Sequence, residues 1–170
     1  MKITSILKGK SVLITGAAGM LGIEHSISLI SVGAKVIMTD IDDVKLSIAK
    51  EYVYKKTGSK AHSYIMDITK SNSIHEIKKK LDKKKIFIFA LINNAAIDHK
   101  VSKFAKFVSN NRLEEFNPNI FEAEVKVGLT GAILCSSIFG PEMAKKRDGV
   151  IINIASDMSV ISPDQRLYMK

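Results

Sequence analysis

The sequence predicts an α/β fold, a doubly wound parallel sheet of five strands. Three observations carry this prediction. Apolar runs of strand length recur along the chain, longer helix-forming stretches separate them, and the first run ends in a glycine-spaced turn, TGAAGMLG at 15–22, that opens a helix.

The first strand is centred on Val12, Leu13 and Ile14, and the helix behind it runs from Ile23 to Val32. Between them Gly16, Gly19 and Gly22 fall at intervals of three. A turn that lacks Cβ atoms lets the backbone approach a diphosphate, and the unpaired N–H groups at a helix start favour negative charge. Ala34 to Asp40, AKVIMTD, is the second strand. Asp43 to Thr57 forms a helix closed by Gly58, with Asp42 and Asp43 as caps. Ala61 to Met66 is a short third strand. Ser73 to Leu81 follows as a helix in which Ser73 and Glu76 have the spacing of a capping box. Ile86 to Ile92, IFIFALI, is the continuous apolar run expected of a strand buried on both faces. Asn117 and Pro118 open a long helix to about Lys146, with Phe116 and Phe121 as a staple and Gly140-Pro141 marking a kink or a break. Val150 to Ile154 is the fifth strand. Right-handed crossovers then give the strand order 3-2-1-4-5.

With 170 residues and 46% hydrophobic content, one compact domain spanning 1–170 is expected, with no run long enough to span a membrane and no flexible linker. Lysines interrupt MKITSILKGK too closely for a signal peptide, and the single Cys135 reads as a buried small hydrophobe, so a cytoplasmic protein is expected. The net charge is +9, yet arginine occurs only at Arg112, Arg147 and Arg166, and KKKLDKKK at Lys78 to Lys85 has no aromatics among its lysines. That run reads as the solvated end of a helix, and neither nucleic acid nor membrane is expected as a partner. His25, His62 and His75 show no metal-ligand spacing, and His99 beside Asp98 reads as a solvated loop residue.

Asp40 is the principal cofactor candidate. It ends the second strand about 20 residues past the glycine turn, where a dinucleotide-binding βαβ unit holds the adenosine ribose hydroxyls. Its charge repels a 2′-phosphate, and Ala17, Ala18 and Ile41 supply no cation to accept one, so NAD is expected over NADP. Ala95 and Ala96, at the carboxyl end of the fourth strand, leave room beside a flat cofactor.

Four motifs together resemble the short-chain dehydrogenases/reductases, a Rossmann-like family: TGAAGMLG at 15–22, Asp67-Ile68, NNAA at 93–96 and VIINIAS at 150–156. The resemblance implies that Gly16, Ala17, Gly19, Leu21 and Gly22 hold the diphosphate, with Asp40 and Ile41 at the ribose. Asp67 and Ile68 flank the adenine, Asn94, Ala95 and Ala96 shape the cofactor channel, and Ser156 is the active-site serine. The implied activity is hydride transfer between NAD and a carbonyl or secondary alcohol of a small-molecule substrate. Three departures stand beside it. The TGxxGxxG spacing resembles the branch that holds sugar-nucleotide epimerases and dehydratases. Gly128 occupies the position of a family asparagine, where it is expected to let the helix loosen and expose a carbonyl. No Tyr-x-x-x-Lys pair follows Ser156: Tyr168 lacks a lysine four residues on, and ISPDQRLY, Ile161 to Tyr168, resembles a branch linked to bacterial surface-glycan synthesis in which the pair comes later. The expectation is therefore the cofactor-binding portion of such an enzyme, without the C-terminal part of the fold. An epimerase or dehydratase and a non-catalytic NAD-binding module are the alternatives. The resemblance implies a homo-oligomer for a full-length parent, with the long helix in the interface, and Val125, Leu129, Ile133 and Phe139 on that helix cannot all face one sheet, so some are expected to be bare.

Overall fold

The computed structural model describes residues 6–97, 116–156 and 160. In chain order the elements are β1 (Ser11–Thr15), α1 (Met20–Ser31), β2 (Lys35–Asp40), α2 (Asp43–Thr57), β3 (His62–Ile65), α3 (Ser71–Lys83), β4 (Ile88–Asn93), α4 (Pro118–Val125), a π-helical turn (Lys126–Gly131), α5 (Ala132–Lys146) and β5 (Val150–Asn153). The sheet is parallel throughout, in the expected order β3-β2-β1-β4-β5.

β1 is central and all five of its residues are buried. Its side chains alternate between two cores, as the period of a strand requires. Val12 and Ile14 join Val36, Met38 and Ile92 under α1 and α2, where Leu46, Ala49 and Val53 close the layer. Leu13 joins Ile37 and Leu91 on the opposite face, against Ile74, Ile77 and Leu81 of α3 and Cys135, Phe139 and Met143 of α5. Covering both faces explains why the inner strands read as continuous apolar runs. At roughly 1.5–3 kcal/mol for each large side chain fully buried, these two layers outweigh any surface ion pair.

Local signals set most of the boundaries. The Asp42 carboxylate accepts from the Lys45 N–H and caps α2, and Gly58 ends that helix in the left-handed region at φ 69°. Asn117 accepts from the N–H groups of Asn119 and Ile120 to cap α4, and the rings of Phe116 and Phe121 lie 5.6 Å apart.

Four expectations need correction. Ser73 and Glu76 form no capping box: α3 starts earlier, at Ser71, and the Ser73 hydroxyl instead accepts from the Asp67 N–H at 3.0 Å. Of the kink or break expected at Gly140-Pro141, the break does not occur, for α5 runs through to Lys146. Pro141 deprives only the Ser137 carbonyl of its partner, and both residues are exposed, so water can serve that carbonyl. Lys78 is not solvated like the rest of its run. It ion-pairs with Asp82, and with Glu142 of α5 at 3.0 Å. Burial disfavours the Lys78 charge, but the bonds from Asp82 and Glu142 outweigh it and hold the ammonium pKa up. Finally, Pro118–Lys146 is long and apolar enough by length and composition to cross a membrane, although Cys135, Phe139 and Met143 on it pack against the sheet. As its period demands, the same helix leaves Leu129 and Ile133 exposed.

Burial pushes the Cys135 thiol up to about 12. An unfolded thiol ionises near pH 8.5, so the folded group contributes stability that is intact below that pH and is lost as the pH rises toward the folded value. At pH 8 its thiolate fraction is on the order of 1,000-fold below that of the unfolded chain. We expect Cys135 to resist a thiol-specific disulfide reagent until urea is added; prompt labelling in buffer would contradict its burial.

Candidate functional site

All the motifs singled out in the sequence come to one end of the sheet. The glycine turn leaves β1, Asp40 ends β2, Asp67 and Ile68 follow β3, Asn94 to Ala96 follow β4, and Ser156 follows β5. Parallel strands in a fixed order make this a geometric necessity. A crevice at the carboxyl ends of such strands is where open α/β sheets bind ligands.

The turn is tightly held. Gly16 sits in the left-handed region at φ 62°, and a Cβ built on it would lie 2.7 Å from Ala95 Cα. On the other side, a Cβ on Gly22 would meet the Gly16 carbonyl oxygen at 2.5 Å. The turn is thus clasped between the exit of β4 and the first turn of α1. No side chain caps α1. Its first N–H groups therefore face the crevice without an intrahelical partner, an arrangement suited to an anion. Ala17 is buried beneath the turn, whereas Gly19, Leu21 and Met20 are exposed at its lip.

Asp40 is joined to that turn directly. Its Oδ2 accepts from the Ala18 N–H at 3.0 Å and its Oδ1 from the Asp42 N–H at 3.1 Å, with the carboxylate only partly buried. Ile41 beside it is exposed. Lys45, which the sequence reading passed over, lies in the first turn of α2, just beyond Asp40. Its ammonium pKa is held up first by the hydrogen bond to Asp42, 2.7 Å away, and more weakly by the charge of Asp40.

Asp67 is engaged locally. Its Oδ1 accepts from the Thr69 N–H and hydroxyl, and its Oδ2 pairs with Lys70 at 3.0 Å. Burial opposes its charge, but the bonds from Thr69 and Lys70 outweigh that and hold its pKa below the usual carboxylate range. Ile68 is buried, and Gly131 packs so closely that a Cβ there would stand 2.6 Å from Ile68 Cδ1. The π-helical turn thereby supports the residue beside the crevice, and it is centred on the loosened stretch around Gly128.

Asn94 donates to the carbonyls of Thr15 and Gly16 at 3.0 and 3.1 Å, fastening the β4 exit to the glycine turn. Thr15 completes the fastening: its buried hydroxyl accepts from the N–H groups of Asn94 and Ala95 at 3.0 and 3.1 Å. Ala96 is exposed. Asn93 points elsewhere, donating to Asn153 Oδ1 at 2.8 Å and to the Ser136 hydroxyl at 3.2 Å, so it ties β4 to β5 and α5. Thr15 and Asn93 open two of the motifs without a role being read for either, and Lys45 and Gly131 lie in none of the four. Ser156 is exposed beyond β5, separated by β4 from the glycine turn, so the structure brings the turn, Asp40, Asn94 and Ala95 together and leaves Ser156 at the far side of the same crevice. His99, Tyr168 and Lys170 lie outside the described residues.

A parallel sheet with a clasped glycine turn and a carboxylate at the next strand end is a doubly wound α/β arrangement. Residues 10–168 match the family model for short chain dehydrogenases, and the chain belongs to that family. It is similar to a 3-oxoacyl-[acyl-carrier-protein] reductase of Thermotoga maritima, 32% identical over 95% of this chain and 62% of that protein. An uncharacterized oxidoreductase of the same organism is 29% identical over 96% of this chain and 60% of its own length. The chain thus spans about three fifths of these curated relatives. Among solved structures, an NAD+-bound xylitol dehydrogenase shares the fold with a TM-score of 0.78 at 24% identity, over 93% of this chain and 57% of that one. A metagenomic short-chain oxidoreductase in complex with NADP has a TM-score of 0.73 at 27% identity, over 88% of this chain and 63% of that one.

Proposed function

We propose that the chain carries the dinucleotide site of an NAD-dependent oxidoreductase acting on a carbonyl or secondary alcohol of a small molecule. The observation that carries the reading is the contact between Asp40 and the Ala18 N–H, which sets a carboxylate beside the uncapped start of α1. Gly16, Ala17, Gly19, Leu21 and Gly22 would take the diphosphate, and Asp40 with Ile41 the adenosine ribose. Asp67 and Ile68 would border the adenine, Asn94, Ala95 and Ala96 would line the channel, and Ser156 would donate a hydrogen bond to the substrate oxygen. The nicotinamide, when bound, supplies the hydride chemistry. The relatives described above bear oxidoreductase and reductase names, which supports this reading over an epimerase or dehydratase.

Cofactor choice provides the test. Asp40 repels a 2′-phosphate, and Lys45, the cation within reach of its field, is already paired with Asp42. Calorimetry is expected to find tighter binding of NAD than of NADP; equal affinities would remove the assignment. Asp40→Asn with Ile41→Arg should move the ratio toward NADP by about tenfold or more, because a repulsive charge goes and an arginine–phosphate bond is gained. Asparagine, unlike alanine, keeps an oxygen for the Ala18 amide.

A further inference from the structure

The opposite end of the sheet gathers several of the chain's lysines. Parallel strands all begin at one end, and here Lys10 precedes β1, Lys35 opens β2, Lys60 precedes β3, and Lys85 and Lys146 lie before β4 and β5. Lysines far apart in sequence are therefore neighbours by topology, at the end farthest from Asp40 and Asp67. Among them is a cleft of about 390 Å3, lined by Lys10, Lys35, His62, Lys85, Phe87 and Phe89 together with apolar and backbone groups. That volume lies within the roughly 300–1,000 Å3 of small-molecule sites.

The charges in the cleft differ in how well they are compensated. Lys10 is neutralised by Asp148 at 2.6 Å and lies 4.2 Å over the Phe89 ring. Lys35 and Lys85 have no ion-pair partner among the described residues. The backbone is specialised at the same place. Ser11 pairs with Ile88 while Val12 pairs with Ala90, so β4 bulges at Phe89, and such a bulge re-aims the side chain it carries. Lys85 itself stands in the left-handed region at φ 56°. Two half-buried rings, each with a lysine ammonium over one face, Lys146 at 3.9 Å from Phe87 and Lys10 at 4.2 Å from Phe89, stand with Lys35, Lys85 and an imidazole and match a dianion attached to a flat apolar body that takes the rings' other faces.

We propose that this cleft binds a small molecule bearing a phosphate on a flat ring, independently of the dinucleotide crevice. The small volume of this half-open cleft favours a small ligand over a polynucleotide, as does the absence of arginine among the lining residues. The probe is 4-methylumbelliferyl phosphate, which contains neither adenine nor nicotinamide, titrated by fluorescence anisotropy into the full chain with NAD present in excess. Saturable binding is expected, and 4-methylumbelliferone without the phosphate should bind at least about tenfold more weakly. Lys35→Gln and Lys85→Asn are expected to weaken the probe about tenfold each, the loss that follows deletion of a charged hydrogen bond. Asparagine is chosen at 85 because it tolerates positive φ. Unchanged thermal melts will certify the fold of both variants. No saturable binding up to millimolar probe would overturn the proposal, as would binding that excess NAD abolishes or that both variants leave intact. Displacement of the probe by micromolar single-stranded RNA would also overturn it, making this end a polyanion surface.

Discussion

Gly22→Ala is expected to destabilise the chain by about 1–3 kcal/mol, the usual cost of forcing a methyl group into a filled space, and to weaken dinucleotide binding. Helix propensity alone predicts the reverse, since Gly22 lies in the first turn of α1 and alanine is favoured over glycine there by up to about 1 kcal/mol. The sign is decided by what the new Cβ would touch. It would lie 2.5 Å from the Gly16 carbonyl oxygen and 2.6 Å from Ala17 Cα, both main-chain atoms of the turn. Those atoms have little room to retreat, because Gly16 is pressed against Ala95 on its other side and Asn94 holds its carbonyl. The helix must then move off the turn, and its N–H groups lose their aim at the crevice. Urea unfolding checks the first half and NAD calorimetry the second, with Ser28→Ala on the exposed face of α1 as the control for propensity. A Gly22→Ala variant as stable as that control would show that the turn gives way freely.

This competition between propensity and packing separates what was legible in the sequence from what was not. The elements were legible where a pattern has one structural solution. Alternation of Val12 and Ile14 with Leu13 needs two covered faces, and the glycine spacing, Asp42 and Gly58 each punctuate a boundary by a local mechanism that tertiary contacts did not override. Gathering of the motifs at one end of the sheet was legible too, since each motif follows a strand and the strands are parallel. Two of the misreadings share a cause: the residue had a local option and a more distant partner took it. Ser73 had the spacing of a cap but receives the Asp67 amide. Lys78 belonged to a charge run but reaches Glu142 on another helix. Pro141 has no partner to lose except a carbonyl that faces water, so a residue with a strong breaking tendency breaks nothing. The supporting residues of the site were hidden for a related reason. Thr15 looks like an ordinary β-former and Asn93 like the first letter of a strand exit, and only the register of β1, β4 and β5 gives them their partners.

Thr15 can be tested with a pair of variants that reverses the order hydrophobicity would give. Valine has nearly the shape of threonine, but it lacks the hydroxyl that receives two main-chain donors and gives one weak bond to the Ile92 carbonyl at 3.4 Å. Thr15→Val strands the Asn94 and Ala95 N–H groups in a partly buried position, at about 1–3 kcal/mol for each donor that water cannot reach. Greater apolarity returns a fraction of this, and a net loss of about 2 kcal/mol is expected. Thr15→Ser keeps the hydroxyl and removes one methyl group from a site that is 1% exposed, which should cost about 1 kcal/mol. The expected order of stability is therefore threonine, then serine, then valine. Hydrogen exchange gives the reading that a merely structural filler would not: the Asn94 and Ala95 amides should lose protection in Thr15→Val and retain it in Thr15→Ser. If valine proves the more stable of the two, or both variants exchange alike, the hydroxyl is not what fastens the β4 exit to the glycine turn, and the clasp must rest on Asn94 and the Gly16–Ala95 contact alone.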